Sequence, residues 1–257
     1  MIRINDTERH LLKDLCSEKK DDIMLLWFLD GGKDCAAWVD QKDKPDTAII
    51  LAADFCYLLG KVKHSTELGD LLMEHAKYKI ISAEGPEWIE FLDRDMKDKI
   101  YSFKRYAIQR EREIFDPNKL KQYIQHLSSE YRIVRIDEEA FWKIVNIPWT
   151  ADGCCFFKSP GDFAENGLGY IICKDGEIVC IASSYVAYGD RIAITIGTLE
   201  EHRRKGLAAA CASRLILECL ERNIYPEWEA ANPESVALAE KLGYHYDKEY
   251  DVYSLTS

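Results

Sequence analysis

No apolar run in this 257-residue chain is long enough to cross a membrane, because charges interrupt every hydrophobic segment within about 18 residues. The opening residues, MIRINDTERHLLKDLC, lack an apolar signal core and a small-residue cleavage site, so no targeting peptide is expected and a cytoplasmic location is the default. There is no C-x-x-C pair among the nine cysteines. The adjacent Cys154 and Cys155 suit neither a normal disulfide nor a zinc ligand set, so no metal is expected. Cys56, Cys173, Cys180, Cys211 and Cys219 lie inside apolar runs and read as small core side chains with reduced thiols. H-E-x-x-H, G-x-S-x-G, Walker A and G-x-G-x-x-G motifs are all absent. Positive charge is in deficit, 34 Lys and Arg against 45 Asp and Glu, which argues against the broad basic face of a nucleic-acid binder.

What is present is a pattern that runs twice. Two helical stretches fill residues 1–30, the second capped by Asp21 or Asp22. Two β-rich runs follow, KDCAAWVD and TAIILAADFCYLLGK, then helix, short strand, a proline-initiated helix at PEWIEF and a strand at IYSFKRYAI. After a helical connector at residues 115–130, strand and helix return in YRIVRI and DEEAFWKIV, and residues 147–166 are irregular. Three strands joined at Asp175-Gly176 and Gly189-Asp190 come next, the first an Asp-Gly hairpin signal. A long helix runs from about Lys205 to Arg222, its apolar stripe falling on Ala208, Cys211, Ala212, Leu215, Ile216 and Cys219. YPEWEA is expected as a strand, PESVALAEKLG as a helix ending at Gly243, and YHYDKEYDVYSL as a final strand. Two lobes of related architecture are expected, residues 1–128 and 129–257, although no residue-level repeat is visible.

Within this acidic chain lies a basic knot, EEHRRKGLAAACASRLI, where a strand ends and a helix begins. The first four N–H groups of a helix lack intrahelical partners, and with the helix dipole they favour an anion. Gly206 removes a side chain where backbone would approach a ligand, and Ala208, Ala209, Ala210 and Ala212 keep the first turns thin. Arg203, Arg204 and Lys205 add charge, which together describes a pyrophosphate cradle. His202, beside the arginines, is expected to be solvated and without a partner.

The spacing Arg203-x-x-Gly206-x-Ala208 resembles the R/Q-x-x-G-x-G/A signature of the GNAT acetyltransferase superfamily, and NPESVALAEKLGY resembles its asparagine-initiated helix. The finer pattern over residues 165–245 is similar to a Gram-positive, two-lobed branch that includes zwittermicin A resistance acetyltransferases. The resemblance implies an α+β fold: a central mixed, mostly antiparallel sheet flanked by helices, preceded by a smaller GNAT-like N-terminal α/β lobe, a degenerate half without a cofactor site. It implies acetyl-CoA as co-substrate and a small-molecule amine as acceptor, with antibiotic resistance as a role. Cofactor contacts are then expected from Ile196, Thr198, Leu199, Arg203, Arg204, Lys205, Gly206, Leu207, Ala208, Asn232 and Ser235, and a bulge at Gly197 would admit the cofactor beside its strand. Asn232 also reads as an N-cap with Pro233 in the first turn.

Such a reaction needs a neutral amine, N–H donors for the developing oxyanion and an acid for the departing thiolate. Backbone N–H groups around Ile196 to Leu199 are the implied donors. Many family members place a tyrosine seven residues after the motif asparagine; here Ala239 stands there, leaving Tyr185, Tyr244 and Tyr246 as substitutes, with Tyr244 the candidate acid. Glu229 is the candidate base, with Glu200 and Glu201 flanking the loop. Two function classes remain: an acetyl-CoA-dependent N-acetyltransferase, and a CoA-binding sensor or interaction protein without efficient turnover.

Overall fold

Short polar residues start the helices of the computed structural model, which describes residues 1–256. Packing divides the chain into two units, Met1–Arg105 with the residues from Tyr250 onward, and Tyr106–Glu249. The first unit opens with β1 (Ile2–Ile4), a 3-10 turn at Asp6–Leu12 leading into α1 (Lys13–Cys16), and α2 (Ile23–Leu29). Asp22 caps α2, its carboxylate accepting from the N–H groups of Met24 and Leu25. Strands β2 (Ala36–Val39), β3 (Thr47–Ala52) and β4 (Phe55–Gly60) follow β1 in antiparallel order. β3 and β4 form a hairpin across Ala53-Asp54, where Ala53 takes φ +52° without any glycine to signal the turn. Then come α3 (Ser65–His75), β5 (Ile80–Ala83), α4 (Pro86–Asp95) and β6 (Ile100–Ile108). β5 runs parallel to β4, and Trp88, Phe91, Leu68 and Leu72 pack its core.

In the second unit Asp116 caps α5 (Pro117–Gln125), Asp137 caps α6 (Glu138–Val145), and β7 (Arg132–Arg135) lies between them. A 3-10 turn at Ala151–Gly153 precedes α7 (Pro160–Asn166). That helix was not expected in the irregular stretch; its signal is Ser159, whose hydroxyl accepts from Asp162 N–H, with Pro160 in the first turn. β8 (Gly169–Lys174), β9 (Glu177–Tyr188) and β10 (Arg191–Thr198) form the expected antiparallel meander, and α8 (Leu207–Glu221) follows. β11 (Tyr225–Glu227) pairs parallel with β10, giving the sheet order β11-β10-β9-β8-β7. YPEWEA does not form one strand: it breaks at Trp228, and β12 (Glu229–Ala230) pairs instead with Tyr106 and Ala107 of β6. α9 (Pro233–Leu242) and β13 (Tyr246–Leu255) complete the chain.

Alternation along the meander divides its neighbours between two layers. Cys180 and Ala182 of β9 and Ile192 of β10 join α8 in one core, while Ile181 of β9 joins α6 and α7 in another. The packing boundary differs from the 128/129 division because Leu120 of α5 is buried in the α8 core, while Tyr253 and Leu255 are buried with α4 of the first unit.

Candidate active site

The site begins where two parallel strands part. β10 and β11 pair only at Arg191↔Tyr225, Ile192↔Pro226 and Ala193↔Glu227. Beyond that point β11 turns away at Trp228, and no described strand pairs with the outer edge of β10 over residues 194–198. On the inner edge, the Leu199 N–H donates to Val179 O. In an antiparallel ladder, backbone direction alternates by residue. The N–H groups of Ile194, Ile196 and Thr198 therefore point to the open edge, whereas those of Thr195, Gly197 and Leu199 face β9. This corrects one expectation: the Leu199 N–H is already engaged and is not a donor for an oxyanion.

The bulge is also displaced from Gly197. Register shifts between Ala193 and Ile194, opposite which β9 carries Tyr185 as the extra residue. Gly197 has a different constraint, since a Cβ there would lie 3.3 Å from the Trp149 indole.

The open edge leads into the basic knot. A 3-10 turn at Glu200–His202 is followed by Arg203, by Arg204 with φ +62° and by Gly206 with φ +81° as the N-cap of α8. No side chain caps this helix, and its first intrahelical bond runs from Ala210 N to Gly206 O. The N–H groups of Leu207, Ala208 and Ala209 therefore precede the helical ladder. A Cβ placed on Gly206 would meet nothing within 4 Å, so the room there is open for a ligand. Arg203 Nε donates to Thr198 O, and among the described residues Arg203, Arg204 and Lys205 form no ion pair. The Thr198 hydroxyl donates to Cys180 Sγ. These features fit the pyrophosphate and pantetheine arm of a coenzyme A: outward donors along an edge, ending at an uncapped helix start beside Arg203, Arg204 and Lys205.

His202 departs from its expected solvation. It is half-buried, with Nδ1 3.1 Å from the Tyr131 hydroxyl and the two rings edge to face, which ties the loop to the residue before β7.

Asn232 is the N-cap of α9, its side-chain oxygen accepting from Ser235 N–H at 2.8 Å. The Ser235 hydroxyl in turn accepts from Trp228 Nε1 at 3.0 Å. The indole that interrupts YPEWEA thus lies along the face of α9 shared by residues 235 and 239, one turn apart. Ala239 on that face is fully buried.

The two candidate catalytic side chains do not converge. Tyr244 is 1% exposed, lies edge to face with Trp228 and Phe115, and donates its hydroxyl to Pro226 O. Burial holds its phenol well above the ordinary tyrosine range. It is built as a core side chain rather than as an acid facing a thiolate. Glu229 is exposed on β12. The carboxylate that stands at the parting of the strands is that of Glu227, opposite Ala193, which sequence reasoning passed over. It is buried and bonded to Arg191 at 2.7 Å, with Arg110 at 3.3 Å. Among the described residues no group of three or more His, Cys, Asp or Glu is placed to hold a metal ion. None of the described helices is long and apolar enough to cross a membrane.

The family model described as GNAT acetyltransferase matches residues 13–253. A GCN5-related N-acetyltransferase-like protein from Streptococcus suis is 30% identical with a TM-score of 0.85, covering 97% of this chain and 99% of that one. The chain is 25% identical to YdfB of Bacillus subtilis, an uncharacterised N-acetyltransferase, over 94% of both sequences. A tandem GNAT protein from the clavulanic acid biosynthesis pathway shares the fold at a TM-score of 0.59 and 13% identity, covering 99% of this chain and 97% of its own.

Proposed function

The chain belongs to the GNAT acetyltransferase family, and from that premise we propose that it transfers the acetyl group of acetyl-CoA to the amine of a small molecule. The observation that carries the reading is the parting of β10 from β11 after Ala193 and Glu227, which leaves outward donors that run to the uncapped start of α8. Acetyl-CoA, when bound, supplies a thioester as the acyl donor. Ile194, Ile196 and Thr198 hold the pantetheine arm through their outward backbone groups, and one of these N–H groups polarises the acyl carbonyl. Arg203, Arg204, Lys205 and the N–H groups of Leu207 and Ala208 neutralise the pyrophosphate, with Gly206 allowing its close approach. Asn232 and Ser235 hold Trp228, at which β11 turns away from β10, through the cap and the indole hydrogen bond.

In the net reaction a C–N bond forms, the C–S bond breaks, the amine gives up one proton and the thiolate leaves. Because Tyr244 is committed to Pro226 O and Ala239 is buried, no tyrosine is assigned to protonate that thiolate. A CoA thiol resembles a cysteine thiol with a pKa of about 8.5, so it departs without help. General-acid assistance is worth roughly 10²–10⁴-fold, so its absence slows the enzyme without silencing it. Turnover is therefore modest and rises with pH as the acceptor amine loses its proton.

The same two observations favour a second reading, a CoA-binding sensor or interaction protein without efficient turnover. Thiol release from acetyl-CoA, screened over amines and followed from pH 6 to 9, separates the two. Amine-dependent release rising with pH supports the enzyme, while CoA binding with no amine-dependent release supports the sensor. The motif's resemblance to zwittermicin A resistance acetyltransferases puts an antibiotic amine in that screen.

A further inference from the structure

On the α6/α7 side of the meander, β10 presents only small side chains beyond Arg191, its first residue. Ile192 faces the α8 core, so Ala193, Thr195 and Gly197 alternate onto the opposite face. The segment between α6 and α7 roofs part of this lane. Ser183, paired with Thr195, donates its hydroxyl to Gly153 O, and Trp149 lies over Gly197. At the other end of the lane Tyr185, the extra residue of β9 beside Ala193, meets Phe156 edge to face at 4.8 Å.

Trp149 is 36% exposed although its ring edge rests on the strand, which leaves a large part of an indole open beside the acyl-transfer edge. The lane carries little negative charge. β10 contributes no carboxylate, Glu227 at its end is paired with Arg191 and Arg110, and Asp152 is the one acidic residue between 147 and 157. A polycationic acceptor such as a polyamine or an aminosugar would need several carboxylates here. An aromatic ring needs a flat apolar partner and a floor of small side chains, and both are present.

We infer that the acceptor is a monoamine carried on a flat aromatic body, whose ring packs on the exposed part of the Trp149 indole while its amine lies beside Thr195 on the open edge. This rests on the acetyltransferase reading. Trp149 is then a specificity-determining residue.

The test titrates the CoA-loaded chain with 2-phenylethylamine, ethanolamine and spermidine by calorimetry, and measures thiol release from acetyl-CoA with the same amines. Wild-type protein should bind and acetylate 2-phenylethylamine in preference to the other two. Trp149→Ala should weaken its binding about tenfold, the scale of one lost ring pair, and leave CoA affinity unchanged. Trp149→Phe should restore most of it. Preference for ethanolamine or spermidine, or an unchanged 2-phenylethylamine affinity in Trp149→Ala, would overturn the inference and leave the acetyltransferase reading standing. CoA binding with no thiol release from any amine would overturn both. If Trp149→Ala does not fold, the wild-type ranking of amines and the Trp149→Phe variant decide the matter.

Discussion

Gly206 is a residue whose absent side chain has a use. Its φ of +81° carries an intrinsic cost for any other residue of roughly 1–3 kcal/mol, but a Cβ there collides with nothing. Gly206→Ala should therefore fold, at some cost in stability, and bind acetyl-CoA more weakly, because its methyl group takes part of the room the pyrophosphate uses. Gly206→Glu should fold equally well and lose binding, because it adds a carboxylate where phosphate must approach three backbone N–H groups. Calorimetry on both variants separates the effect of added bulk from that of added charge. Tyr244 offers the complementary case. Tyr244→Phe deletes one buried hydrogen bond and strands the Pro226 carbonyl, so it should cost about 1–3 kcal/mol in urea denaturation. Turnover should scarcely change, and a hundredfold fall in kcat with CoA affinity intact would instead make Tyr244 the acid.

At the scale of elements, α8 holds the site by being buried on nearly every side. Its N-terminal turns face the open edge, and its C-terminal half is pinned by Glu218, which accepts from the Tyr170 hydroxyl and pairs with Arg135 at 3.3 Å and Arg222 at 2.5 Å. Burial pushes the Glu218 carboxyl up, but the Tyr170 hydrogen bond and the surrounding arginines outweigh it and hold the pKa below the ordinary value. A carboxyl depressed by folding stabilises the protein above its unfolded pKa of about 4.3, and that contribution is lost as pH falls through the folded value. Glu218→Gln should thus destabilise the chain by about 1–3 kcal/mol near neutral pH, with the difference from wild type shrinking below about pH 4. Urea denaturation at several pH values checks it.

Much of this element layout was legible in the sequence. The Asp175-Gly176 turn and the cap at Asn232 are local signals found where the residues place them; of the α8 stripe, Cys211, Ala212, Leu215, Ile216 and Cys219 are buried, but Ala208 is only half-buried and the helix is buried on other sides as well. The features that build the acceptor side were not legible, because they depend on partners remote in sequence. Trp228 reads as one more strand residue until Ser235 claims its indole N–H, and Trp149 reads as a loop residue until Gly197 lies beneath it. The bulge at Tyr185 arises from strand register, which leaves no mark on composition.

At the scale of the whole molecule, the two units treat the same strand–loop–helix differently. In the first, β4 leads through Lys61–His64 into α3, but its own side chains consume the groups a ligand would use. Trp88 Nε1 donates to Gly60 O, the Val62 N–H donates to Glu87, and Lys63 is paired with Asp40 and Asp46. In the second unit the corresponding cations form no ion pair among the described residues, and the helix start is uncapped. We therefore propose one cofactor site per chain, in the second unit. Titration of the intact chain with acetyl-CoA by calorimetry tests this most directly. The wild-type protein should show one site per chain and folded Gly206→Glu none; two equivalent sites, or undiminished affinity in that variant, would overturn the proposal.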